Sequence, residues 1–151
     1  PIEGKRTPET GYQAQFSGPY MVALGLLGGS GLGAGLSDFT DALATDTERR
    51  ALMAKVSVVA DPRCDEIFPY QFPATLALTT TGGDVHEVEV LANRGGNENP
   101  LTDEELATKF RDNAIRGLGS IDAVDELARA IEAIETAPNL DTIVRAASPT
   151  E

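Results

Sequence analysis

Ser17 and Tyr20 stand three residues apart at the start of an apolar run, in the stretch Gln15-Phe16-Ser17-Gly18-Pro19-Tyr20. A hydroxyl and a phenol at i and i+3 share one side of a helix start, where free backbone N–H groups attract anions. Such a pair could take part in a site for an anion. Capping accounts for Ser17 as well, and core packing for Tyr20. On the residues alone both readings stand.

The other reactive side chains lack companions. His86 is the sole histidine, so any Ser-His-Asp triad would have to use it. It falls mid-strand on the face of Val88 and Val90, where a packed or half-exposed histidine is the plainer reading. Cys64 is the only cysteine, with no second thiol for zinc and only His86 as a conceivable base. Asp103-Glu104-Glu105 resembles a carboxylate cluster, but a helix N-terminus favours acids anyway. Asp38 and Asp41 are explained the same way. Gly29, Gly31 and Ala34 fit G-x-G-x-x-A, the dinucleotide-binding pattern. That pattern needs a strand before it, a helix directly after, and an acid about 20 residues on at the end of a second strand. Here an apolar helix precedes the glycines and the later region, TDTERRAL, reads as helical. The run therefore reads as a mobile loop between helices.

The elements that would position these residues follow from local signals. Residues 1–14 are polar and contain Gly4, Pro8 and Gly11, which predicts a loose linker. Ser17 and Pro19 open a helix over Tyr20–Leu27, apolar all round and so expected to be buried all round. Ser37 and Asp38 open a second helix, with Phe39 and Leu43 inward, and Thr45 or Asp46 a third through Ala54. Residues 55–60, KVSVVA, predict a strand by their β-branched content. Residues 74–81 and 84–92 alternate around Gly82-Gly83, which predicts a hairpin and, with 55–60, a three-stranded sheet. A second linker covers 93–100. Thr102 and Glu105 form a capping box for a helix whose buried stripe is Leu106, Phe110 and Ala114. Gly117 and Gly119 end it. Ser120 begins another, with Ile121, Val124, Leu127, Ala128, Ile131 and Ile134 on one face and Pro138 beyond its end. A short last helix spans 140–147. The fold class is α+β: a small antiparallel or mixed sheet with helices, then C-terminal helices.

The 151 residues carry a net charge of −12, which argues against nucleic acid and against anionic membrane as partners. A small anionic ligand would need cations gathered locally, and Lys5, Arg6, Arg49, Arg50 and Lys55 are the N-terminal supply. A single cysteine fits a reducing, cytoplasmic setting. No apolar run reaches membrane-spanning length. A chain that opens on Pro1 reads as processed or as a piece of something longer.

The order of QFSGPYMVALGLL, MAKVSVVADPRCDEIFPYQFPATLALTTTGGDVHEVEV and NPLTDEELATKFRDNA resembles the C-terminal part of the MmgE/PrpD family. Its best-known members are 2-methylcitrate dehydratase, cis-aconitate decarboxylase and iminodisuccinate epimerase. The resemblance implies an α+β lid over residues 1–98. It implies that 99–151 pack on an N-terminal helical portion that carries most catalytic groups. It implies a homo-oligomeric lyase or isomerase of a small carboxylic acid, working without metal or organic cofactor. Within this chain it points to Tyr20 as catalytic and Ser17 as substrate-binding. A stand-alone interaction or oligomerisation module without activity is the alternative.

Overall fold

The computed structural model describes residues 2–148. The chain opens with helices α1 (Ile2–Arg6), α2 (Gly11–Ala14), α3 (Gly18–Leu27), α4 (Asp41–Ala44) and α5 (Thr47–Met53). A single 3-10 turn, Leu36–Asp38, stands between α3 and α4. Then come α6 (Pro62–Ile67), strands β1 (Ala74–Thr79) and β2 (Val85–Val90), and helices α7 (Asp103–Leu118), α8 (Ile121–Glu132) and α9 (Asp141–Ala146). The class is α+β, with one two-stranded antiparallel sheet among the described residues. The described residues up to Val56 and from Glu104 on form one compact unit, and Ser57–Asp103 a second. The N-terminal helices thus group with the C-terminal ones, and the expected boundary at 98 falls inside the second unit.

The core of the first unit gathers Ala14, Tyr20, Ala23, Leu24, Ala44 and Met53, with Phe39 and Leu52 packed against them. Helix α3 forms as its signals require: the Ser17 hydroxyl accepts from the Tyr20 N–H at 3.1 Å, and Pro19 sits in the first turn. It is not buried all round, however. Tyr20, Ala23 and Leu24 are inside, while Met21, Leu26 and Leu27 reach solvent. Spacing explains the division, since i, i+3 and i+4 share a face.

Residues 2–14, expected as part of a loose linker over 1–14, are not one. Thr10 caps α2 through the Gln13 N–H at 3.2 Å, the Gly11 N–H donates to Asp41 Oδ1 at 2.8 Å, and Arg50 donates to the Pro8 carbonyl at 3.2 Å. Two of these bonds cross more than 25 residues, and composition gives no sign of them. Gly11 also lies against the backbone of α4's approach: a Cβ there would come 2.0 Å from the Phe39 carbonyl oxygen. The helix expected from Ser37 is the 3-10 turn, and Thr40 rather than Asp38 caps α4.

In the C-terminal helices, Ser120 caps α8 through the Ala123 N–H at 3.2 Å, and Val124, Leu127 and Ala130 are its buried residues. Ile121, Ile131 and Ile134, expected on the inner face, are exposed. Helix α7 has no buried residue; Phe110 and Ala114 are half-buried and Leu106 is exposed.

The second unit holds the hairpin in the register Ala74↔Val90, Leu76↔Val88 and Leu78↔His86, which puts the apolar pairs on one face. Thr75↔Glu89 and Ala77↔Glu87 make the other. The Thr80 N–H closes the turn on the Asp84 carbonyl at 2.8 Å. Arg63 of α6 pairs with Asp61 at 2.9 Å and with Glu89 of β2 at 3.1 Å. Residues 55–60 form no strand. Val58 and Val59 are exposed. Branched side chains favour an extended backbone, but a strand also needs a ladder partner. Within Ser57–Asp103 no residue is buried.

Gly11→Ala is expected to lower the unfolding free energy by about 1–3 kcal/mol, because the added methyl has only backbone to push against. Gly25→Ala, on exposed α3 surface with nothing within 4 Å of the new Cβ, is expected to raise it by about 0.5–1 kcal/mol. Urea titration of the two variants beside the parent chain checks both.

Candidate functional site

Ser17 and Tyr20 lie together in the interior of the first unit, 1% and 0% exposed. Ser17 Oγ is committed to the Tyr20 N–H, which fixes where the phenol leaves the helix. The Tyr20 ring packs beside Phe39 with centroids 5.9 Å apart, and its hydroxyl donates to the Asp38 carbonyl oxygen. Burial pushes the phenol above the ordinary tyrosine value. The Arg49 guanidinium opposes that shift, and the Asp38 and Asp46 carboxylates add to it. Tyr20 is therefore a neutral phenol at physiological pH and a proton donor.

Asp38 holds the phenol's acceptor in place, and its side chain organises the glycine run. Asp38 Oδ2 accepts from the Ser30 N–H at 2.9 Å, the Ser30 hydroxyl at 2.8 Å and the Gly35 N–H at 2.8 Å. Ser30 and Ser37 hydroxyls meet at 3.0 Å. Three glycines of the run, Gly28, Gly31 and Gly33, have φ of 89°, 56° and 103°, where a side chain would strain the backbone. Asp38 thus ties the run at Ser30 and at Gly35, on either side of its curl. Helix α3 precedes it and the 3-10 turn follows, in place of the strand and helix of a dinucleotide site. Burial alone would push the Asp38 carboxyl up. The Gly35 N–H and the two Ser30 donors outweigh burial, and Arg49 adds to them, so the group lies below the usual carboxylate value. Asp38 was legible only as a helix start. The signal that finds it is an acid three residues after a glycine cap, the reciprocal half of a capping box.

An open groove of about 330 Å³ runs over the same unit, between Met21, Leu36 and Phe39 on one side and Lys109, Asp112 and Asn113 of α7 on the other. Ser17 and Tyr20 do not line it. His86 is exposed on β2, and Cys64 is half-buried on α6, in the other unit. Asp103 and Glu104 are exposed at the start of α7. Among the described residues no three His, Cys, Asp or Glu side chains come together as a metal site. No described helix is long and apolar enough to cross a membrane.

The family model of the MmgE/PrpD C-terminal domain matches residues 1–136. The chain belongs to the MmgE/PrpD family, as its C-terminal domain, and the family is generally enzymatic. A comparison with curated proteins gives no match.

Because the native state holds Asp38 ionised below its ordinary value, the stability it contributes is complete above about pH 4 and is lost as pH falls through the lowered value. Asp38→Asn is expected to cost about 1–3 kcal/mol at neutral pH and to flatten the acid limb of stability against pH. Urea midpoints measured between pH 7 and acid check this; parallel acid limbs in parent and variant count against it.

Proposed function

We propose that this chain completes a lyase or isomerase that acts on a small carboxylic acid by acid/base chemistry. Dehydration, decarboxylation and epimerisation share the needed step, a proton moved beside a carboxylate. In this reading Tyr20 is the chain's proton-transferring residue, and Ser17 helps to hold the substrate. The carrying observation is the coincidence, at one helix start, of the family match with a buried phenol whose burial keeps it protonated. To act, the Tyr20 hydroxyl exchanges the Asp38 carbonyl for the substrate. Ser17 Oγ already accepts one N–H and has its own hydrogen to donate to a carboxylate.

A net charge of −12 leaves the cationic holders of such a substrate to come from elsewhere. This supports an N-terminal helical portion of the same enzyme as the partner. That no residue of the second unit is buried supports a covering partner too, since a two-stranded hairpin without a core is marginal by itself. That observation also favours the alternative of an interaction or oligomerisation module, with the apolar face of Leu76, Val88 and Val90 as its surface.

The 151-residue chain is expected to turn over none of a panel of small di- and tricarboxylic acids, and the chain joined to its N-terminal portion to turn over at least one. In that whole enzyme Tyr20→Phe should lower kcat by about 10²–10⁴-fold. It should cost about 1 kcal/mol of stability for the lost bond to Asp38. Ser17→Ala should raise KM more than it lowers kcat. Unchanged kcat in Tyr20→Phe overturns the role given to the phenol. Turnover by the 151-residue chain alone overturns the composite site.

A further inference from the structure

Arg49 lies on α5, which packs against α3, and its side chain is only 17% exposed. Its backbone N–H donates to Asp46 Oδ1 at 2.9 Å, and its Nη1 stands 3.8 Å from the same oxygen. Its Nε is buried and has no hydrogen-bond partner. Interior guanidinium N–H groups are nearly always satisfied, so this buried donor without a partner is unusual. The charged groups that act on the Tyr20 phenol are Arg49, Asp38 and Asp46. Two are acids, which resist a negative oxygen at Tyr20. Arg49 is the one cation among them, and it acts on the phenol both by its charge and by a side-chain hydrogen bond.

We propose that Arg49 is a positioning residue for Tyr20, whose buried guanidinium takes up the phenol oxygen when the hydroxyl leaves the Asp38 carbonyl. The proposal rests on the reading of Tyr20 as the proton-transferring residue. The step balances simply. The Oη–H bond of Tyr20 breaks and the proton joins the substrate's carbanion or its departing oxygen. The electron pair remains on Oη. The single negative charge left there faces the permanent positive charge of Arg49, and the guanidinium N–H donates to it. Return of a proton to Oη restores the bond to Asp38. Lysine at this position would keep the charge and lose the directed donor.

The coupling can be read without any substrate. Tyr20 is replaced by 3-fluorotyrosine in the 151-residue chain, which brings the phenol's titration into a workable range, and its 19F resonance is followed against pH. Arg49→Gln is expected to move that titration upward by one pH unit or more, and Arg49→Lys to restore most of the shift. Asp46→Asn keeps a capping side chain on α5 and is expected to move it downward, which gives a second reading if Arg49→Gln does not fold. A 19F titration indifferent to the Arg49 and Asp46 variants overturns the proposal.

In the whole enzyme Arg49→Gln should lower kcat tenfold or more with little change in KM, and Arg49→Lys should recover part of it. If Tyr20→Phe abolishes turnover and Arg49→Gln does not affect it, Arg49 has no positioning role and the Tyr20 reading stands. If Tyr20→Phe retains full turnover, the reading itself falls, and the positioning role falls with it.

Discussion

The Asp38 residue ties the first unit together through both of its ends. Its backbone carbonyl receives the Tyr20 hydroxyl, and its carboxylate receives three donors from Ser30 and Gly35. A buried carboxylate is costly unless donors surround it, and here they come from a loop with little else to hold it. The loop gives the acid its partners, and the acid gives the loop its shape. The phenol then inherits a fixed acceptor, and its ring closes the gap between α3 and Phe39. Remove the carboxylate and the curl, the acceptor and the ring lose their common support.

Much of this was legible where signals are local. Ser17, Pro19 and the apolar run announce α3. Gly82-Gly83 between alternating segments announces the hairpin, and Ser120 announces α8. Each rests on contacts within four residues or on a period of two. The failures share an opposite origin. Helix α2 and the segment before it are held by Asp41 and Arg50 from far along the chain. Asp38 looked like one more acid at a helix start because its donors arrive from a glycine run read as loose. Residues 55–60 have the composition of a strand and lack a described neighbour to pair with. Exposure of Leu106, Ile121 and Ile131 shows the same limit from the other side: an apolar stripe says which face seeks cover, not what covers it.

The candidate site was legible in part for a related reason. Type and spacing singled out Ser17 and Tyr20, and both proved to be interior. What the spacing could not supply was the company they keep. Asp38 lies 18 residues beyond Tyr20, and Arg49 lies on another helix. The electrostatic balance at the phenol is set by those distant groups, which is why a motif locates a site sooner than it describes one.

The hairpin has two edges of unequal character. The strand Ala74-Thr75-Leu76-Ala77-Leu78-Thr79 carries no charge, while Val85-His86-Glu87-Val88-Glu89-Val90 carries two carboxylates. Edge strands bearing charge repel further pairing, and bare ones invite it. Growth of this sheet is therefore directional. An additional strand meets an uncharged margin at β1 and a charged one at β2, so the small sheet widens more readily on the β1 flank.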